Sequence, residues 1–373
     1  MKLISRADLA RRFGARVRAA PPPSGQAPSG PLPSGPSKVT AEEAMSLARH
    51  CARFREPQDA RAWRELAVTL AFYVVACGSL LAALASGWWI GLVLAVPAGM
   101  AVVRTFTIQH DCGHGSFFSS RRLNAWTGRC LGVLTFTPYD AWRRAHTIHH
   151  AGSGDLERRG IGDLDTLTVA EYRARGPWGR LAYRLYRHPL VMHVIGPPVY
   201  FLLMQRWPWA QQLPVPGVWH SIVGLNVALV LLYGGVIALV GPLVGLTAIL
   251  AVGCVASWVG SWLFYVQHQF EDTHWDHSDE WEARVAALNG SSHYVLPGFA
   301  NWLTGNIGLH HIHHLNPRIP SYRLPECMAA EPRFAALSRL TFARSLDCIG
   351  LALWDERARQ LVSFRGARAL PAG

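Results

Sequence analysis

The chain has 373 residues, half of them apolar and 15 of them Trp, which is enough for a sizeable core or for several membrane spans. Its formal net charge of +12 calls for no nucleic-acid partner, because anionic lipid headgroups are sufficient company for it. Seven Cys without a CxxC pair suit a reducing cytoplasm and argue against a thiolate metal site.

Residues 1–37, with "APPPSGQAPSGPLPSGPS", are Pro, Ser and Gly with nothing to bury, and read as disordered. No signal peptide is visible, since the first apolar run starts too late. Thr40 and Glu43 form a capping box that opens an amphipathic helix over 38–65, leading to the first span. Two long stretches then carry almost no charge. Leu66 to Ile108 is broken by "SGWW" at 86–89, and Ile222 to Gln267 by Gly241 and Pro242. Each is about twice the ~20 residues that span a hydrocarbon core. They predict two helical hairpins, with spans at 66–86, 88–108, 222–241 and 244–266, and Trp88 and Trp89 at a headgroup-level tip. Four buried helices of a soluble protein would rarely run uncharged for so long.

The remaining segments are a cap of 109–221 and 267–330 and a C-terminal segment, 331–373. Of 36 Lys and Arg, 12 precede residue 66, 13 lie between 109 and 221 and 10 follow residue 267; the last is Arg104. The hairpin tips carry none, so the cap and both termini are expected on the cytoplasmic side. The apolar stretch 189–209 is interrupted by Pro197, Pro198 and Pro208. A fifth span would part the two halves of the cap, so this stretch is expected to lie on the bilayer surface, where a lipid could enter. The same holds for 123–139. The expected fold class is therefore an all-α integral membrane protein with a histidine-rich cytoplasmic cap.

Three clusters stand out among 17 His. "HDCGH" holds His110 and His114, "HTIHH" holds His146, His149 and His150, and "HHIHH" holds His310, His313 and His314. On a helix, positions i, i+3 and i+4 share a face, so each cluster can aim two or three imidazoles at one point. His268, after the fourth span, occupies a place like that of His110 after the second. His50, His188, His193, His220, His274, His277, His293 and His311 lack the spacing and read as surface or supporting residues.

Eight or nine imidazoles are too many for one ion, since zinc sites usually take four ligands. Imidazole-rich ligation suits iron, copper, nickel or zinc, and two neighbouring metals with four or five imidazoles each is the economical count. Carboxylates behind the rings would orient them and offset charge. Asp111, Asp140, Asp155, Asp163, Asp165, Glu271 and Asp272 lie near the clusters in sequence, and each is equally at home as a solvated loop charge.

At these residues the chain resembles the membrane fatty-acid desaturases, whose signature is three histidine boxes, HxxxH, HxxHH and HxxHH. "HDCGHGSFF", "HHAGSGDLERRG" and "TGNIGLHHIHHLNPRIPSYRL" are most similar to the bacterial and cyanobacterial acyl-lipid delta-12 and omega branch. The similarity covers roughly residues 60 to 330. It implies a non-haem di-iron centre in a bacterial inner membrane, O2 as cosubstrate, and electrons from an external carrier such as ferredoxin. It also implies a fatty acyl lipid or acyl thioester as substrate and a cis double bond as product. His268 matches a histidine that the wider family carries after its fourth span. One turn earlier, where acyl-CoA desaturases have an asparagine holding a metal-bound water, this chain has Phe264. That implies either a different outer ligand or a shifted alignment. No residue beyond the iron ligands is expected to be catalytic. Trp258 and Trp262, one turn apart, either line the substrate tunnel or simply pack. A fatty-acyl or carotenoid hydroxylase or ketolase would keep the same boxes. A histidine-rich metal transporter would instead carry its site at mid-membrane within the spans.

Overall fold

The computed structural model describes residues 38–208 and 217–371; the disorder expected for 1–37 lies outside them. Helix α1, Ala41–Cys51, opens with the Thr40–Glu43 capping box, in which the Glu43 amide donates to Thr40 Oγ1 and Glu43 Oε2 accepts from the Thr40 amide. Its Ala44, Leu47 and Cys51 pack against Leu309, Ile312 and Phe334. The single helix expected over 38–65 is two. The chain breaks after the 3-10 turn Ala52–Phe54, ahead of Pro57, which removes a donor and disfavours helix at the residue before it. Helix α2 then starts at Asp59 and runs to Ala85, beginning seven residues before the expected 66.

Among the described residues, four helices are long and apolar enough to cross a membrane: Asp59–Ala85, Trp89–His114, Val218–Val240 and Pro242–His268. The second begins as a 3-10 turn, Trp89–Leu94, and continues as α3, Ala95–His114. Between α2 and α3 the chain turns through Gly87 at φ +79°, a conformation only glycine adopts cheaply. Ala76, Leu80 and Leu84 of α2, Ala98, Ala101 and Val102 of α3, and Ala248 and Val252 further on form one core cluster. Small residues bring the backbones close there: a Cβ on Gly99 would stand 2.4 Å from Val255 Cγ1.

After α3 come α4, Arg121–Leu134, and α5, Tyr139–Gly152. Strand β1, Leu167–Thr168, leads into α6, Val169–Ala174, and α7, Pro177–Tyr186. The stretch Val191–Leu203 is mostly π-helical turns around Pro197 and Pro198. It does not lie apart on a surface. A Cβ on Gly253 would meet Leu202 at 2.8 Å, and Trp258 Nε1 donates to the Val194 carbonyl at 2.8 Å. Gly253 precedes His268 by fifteen residues, about 22 Å along a helix, so this stretch packs deep along the fourth long helix. Helices α8, Val218–Val240, and α9, Pro242–His268, follow, joined at Gly241. Val230, Leu231 and Leu239 of α8 point outward, as a lipid-facing helix requires.

The cap is not wholly helical. Strand β2, His293–Val295, precedes α10, His310–Leu315; then come β3, Arg339–Thr341, β4, Leu351–Asp355, β5, Gln360–Ser363, and α11, Phe364–Ala369. One sheet has the order β1-β4-β5 and the other pairs β2 with β3. Residues 331–371, part of the 331–373 segment expected to be separate, are thus built into the cap. β4 registers Leu353 on Leu167, and Trp354 is buried with Leu156, Trp275 and Leu361.

Candidate metal centre

The three boxes sit on three helices. α3 ends in His110 and His114 and is closed by Gly115 at φ +67°. α5 carries His146, His149 and His150, and α10 carries His310, His313 and His314. His268 is the last residue of α9. The helices of the second and fourth spans overrun the expected ends, 108 and 266, and the overrun delivers His110, His114 and His268.

The nine imidazoles gather in two groups, each with its ligand atoms within 4.8 Å of one another. One is His110, His114, His146, His150 and His313; the other is His149, His268, His310 and His314. α5 and α10 each contribute to both, so the groups touch: the rings of His150 and His314 stack at 4.1 Å. In the first group Nε2 atoms face Nε2 atoms, at 3.4 Å for His114–His110, 3.1 Å for His146–His114, 3.1 Å for His150–His146 and 3.2 Å for His313–His150. In the second, His268 and His310 do so at 3.0 Å. A neutral imidazole nitrogen either carries a proton or offers a lone pair, so the shared Nε2 atoms of His114, His146 and His150 cannot satisfy both neighbours. Among the described residues, the buried Nε2 atoms of His149 and His314 have no hydrogen-bond partner. Converging buried lone pairs are what a cation satisfies, and the donor set fits iron or another imidazole-seeking transition metal.

Electrostatics point the same way. Burial first, and neighbouring imidazoles second, hold His146, His150, His310, His313 and His314 well below the usual histidine range. The rings are therefore neutral at neutral pH, as ligands must be. Two have their far nitrogens fixed. His268 Nδ1 donates to the Gly290 carbonyl at 3.2 Å, and His149 Nδ1 donates to Asp163 Oδ1. Each bond leaves the Nε2 lone pair facing the group. Trp142, one turn before His146, stacks on it at 4.7 Å.

Of the seven carboxylates named from sequence, two touch the histidines. Asp163 holds His149, and Asp111 Oδ1 lies 3.5 Å from His110 Nδ1 while Oδ2 accepts the Ser321 amide at 2.6 Å. The other five are placed elsewhere. Asp140 pairs with Arg129 at 2.8 Å, and Asp155 accepts from Ser278 Oγ at 2.8 Å. Asp165, Glu271 and Asp272 are exposed and make no hydrogen bond to any of the nine. Trp258 Nε1 donates to the Val194 carbonyl of the Val191–Leu203 stretch, and Trp262 Nε1 donates to Tyr294 Oη at 3.4 Å within a packed cluster. Phe264 lays its ring 5.4 Å from those of His149 and His268, an apolar contact with no ligand atom. His311 points away from both groups: it is fully buried, stacks on His293 at 5.4 Å and hydrogen-bonds the Phe334 carbonyl. His277 pairs with Glu157 and Glu356 on the surface, and His274 lies 2.6 Å from Asp276. The Gly290 carbonyl had no signal in the sequence, whereas Trp142 sits at i−4 from His146 and was findable.

Residues 86–345, which contain all nine histidines, match the family model described as Fatty acid desaturase. The chain belongs to the fatty acid desaturase family. A Bacillus subtilis (strain 168) protein named Fatty acid desaturase is 39% identical over 287 residues, covering 75% of this chain and 79% of that one. An sn-1 oleoyl-lipid 12-desaturase of Synechocystis sp. is 28% identical over 280 residues, covering 72% and 75%. An sn-1 acyl-lipid omega-3 desaturase (ferredoxin) of the same organism is 27% identical over 266 residues, covering 65% and 68%. The protein is thus a fatty acid desaturase enzyme. Its helices can span a membrane and its histidine groups can hold metal.

Proposed function

We propose that this desaturase inserts a cis double bond, of delta-12 or omega type, into long-chain fatty acyl groups of membrane lipids, using O2 and two irons. The observation that carries this is the convergence of five and four imidazoles at two adjacent points in one cap, six of them buried and His114, His146 and His150 half-buried. His110, His114, His146, His150 and His313 would hold one iron; His149, His268, His310 and His314 would hold the other. Bound there, the irons supply oxidising power toward an unactivated alkyl chain, which no side-chain acid or base can attack.

The chain's own residues prepare the site. Asp163 and the Gly290 carbonyl fix the rings of His149 and His268. Asp111 ties the first box to the loop after the third through the Ser321 amide. Burial of His110, His149, His268, His310, His313 and His314 keeps bulk water from competing for their lone pairs. The Val191–Leu203 stretch along α9 offers an apolar path by which a lipid reaches the cap. We assign electron supply to a separate carrier such as ferredoxin, in line with the name of the omega-3 relative. We further assign the spans to two hairpins with the cap and both termini cytoplasmic, in a bacterial inner membrane, because the basic residues gather in the cap and tails. Residues 66–330 carry the chemistry in this assignment.

The test is expression in a host lacking polyunsaturated lipids, with double bonds located by mass spectrometry. A new O2-dependent double bond at a fixed position is expected. Hydroxylated or oxo products, or unchanged lipids from iron-loaded protein, would overturn the proposal.

A further inference from the structure

A second feature lies apart from the histidines. Between α6, α7 and α11 is an open cleft of about 450 Å³ whose walls carry Arg173, Arg180, Arg184 and Arg368, with Tyr172 and Phe364 among its lining. None of the four guanidinium groups has a carboxylate within 4.0 Å among the described residues; Glu171, next to the cleft, is held by Arg159 at 2.7 Å. Arg173 is committed to the fold, donating to the carbonyls of Ala367, Leu370 and Pro371 and so tying α11 to α6. Arg184 is braced, with Nε donating to Tyr172 Oη at 2.5 Å and the guanidinium lying 5.8 and 5.6 Å from the centres of the Tyr172 and Phe364 rings. Among the described residues its terminal N–H groups have no hydrogen-bond partner, and Arg180 makes one 3.4 Å bond, to the Arg173 carbonyl. Arg368 stands exposed.

Clustered guanidinium groups with open forks and no counter-charge match the oxygens of a phosphate. The surroundings say which phosphate. Trp178 is 80% exposed, and Leu181, Leu185 and Leu190 are exposed beside it. This apolar edge continues directly into Val191–Leu203, which packs along α9 at Trp258 and Gly253. A basic cleft bordered by an exposed Trp and Leu edge, continuous with a membrane-level segment, has the composition of a headgroup-layer surface. Phe364 and Arg368 lie outside the residues shared with the family model, 86–345, whereas Tyr172, Arg173, Arg180 and Arg184 lie within them.

We propose that this cleft binds the phosphate of an anionic phospholipid headgroup, with the acyl tails along the Trp178–Leu185 edge. The probe is phosphatidylglycerol. Full-length, metal-loaded protein is placed in nanodiscs of equal phosphatidylglycerol and phosphatidylcholine, and lipids retained after gentle extraction are counted by native mass spectrometry. Wild type should retain phosphatidylglycerol selectively. Arg180→Gln combined with Arg368→Gln removes two charges from different elements and should weaken retention roughly thirtyfold. The surface variant Arg284→Gln should not change it. Metal content equal to wild type shows that the double variant is folded; Arg184→Gln serves as a second variant. Absence of selectivity, or unchanged retention in both variants, would overturn the proposal. So would displacement of the lipid by millimolar inorganic phosphate, which would make this a free-phosphate site. Loss of binding to an acidic carrier protein with lipid retention intact would make it a protein interface instead. The readout is lipid retention rather than turnover, so its failure is separate from failure of the desaturase assignment.

Discussion

Asp163→Ala removes the acceptor behind His149. In the folded chain the His149 side chain is fully buried and that of Asp163 is 9% exposed, so water cannot readily replace the lost oxygen. Leaving the Nδ1–H buried without a partner costs about 1–3 kcal/mol. Independently, deleting a carboxylate that orients a metal-bound imidazole typically weakens metal affinity about 10–100-fold, or ~1.4–2.8 kcal/mol. The two figures overlap, as they should if the bond's main task is to hold the ring and its tautomer. The assay is dialysis of iron-loaded protein against graded chelator, with residual metal measured by mass spectrometry. Asp163→Ala should surrender the metal of the His149 group at roughly 10–100-fold lower chelator strength, while the five-histidine group keeps its own. Asp163→Asn, which still accepts a hydrogen bond without the charge, should fall between. Asp140→Ala should match wild type, because Asp140 serves Arg129. Equal retention by Asp163→Ala and wild type would refute the reasoning.

Loss of any one of His310, His313 and His314 to Ala should abolish desaturation, and His268→Ala should behave like His313→Ala; turnover comparable to wild type for His268→Ala would remove it from the ligand set. His311→Ala should keep its metal but lose about 2 kcal/mol of stability through the lost bond to Phe334 and the lost packing, read as a lower melting temperature at unchanged iron content. Metal-free protein should lose stability as pH falls below about 6.5. His311, pushed down to about 3 by burial, and the five box histidines held below their usual range stay neutral in the folded chain. The unfolded chain takes up their protons first, at up to ~1.4 kcal/mol per pH unit for each. Each contribution is intact above the unfolded value and declines from there down to the folded one, and equal melting temperatures at pH 7.5 and 5.5 would contradict it. Labelling of introduced cysteines in intact cells should find 86–89 and 241–244 outside and 151–176 inside; external access to 151–176 would break the topology.

The spans and boxes were legible because both rest on local periodicity. Forty uncharged residues need two helices, and HxxHH needs only one turn to put three imidazoles on a face. Which histidines make up the five and which the four was not, because α5 and α10 each split theirs between the groups, and that depends on how the helices cross. Nor was the choice of Asp163 among seven carboxylates. The loop from Ser153 to Thr166 must fold back over α5 before sequence neighbours become spatial ones. The all-α expectation missed the strands because each is two to five residues long. Leu167–Thr168 gains its meaning only from β4, 186 residues on. Arg104 stood out as the lone charge within the spans; the structure pairs it with Glu65 at 2.7 Å and sets it 4.2 Å from the centre of the Trp302 ring, which explains how the second span tolerates it.

The most direct test of the central claim is the iron content and ligation of the purified protein, by elemental analysis and Mössbauer spectroscopy. Two irons per chain with nitrogen and oxygen but no sulfur ligation are predicted. A single iron per chain after full reconstitution, or a thiolate ligand, would contradict the account.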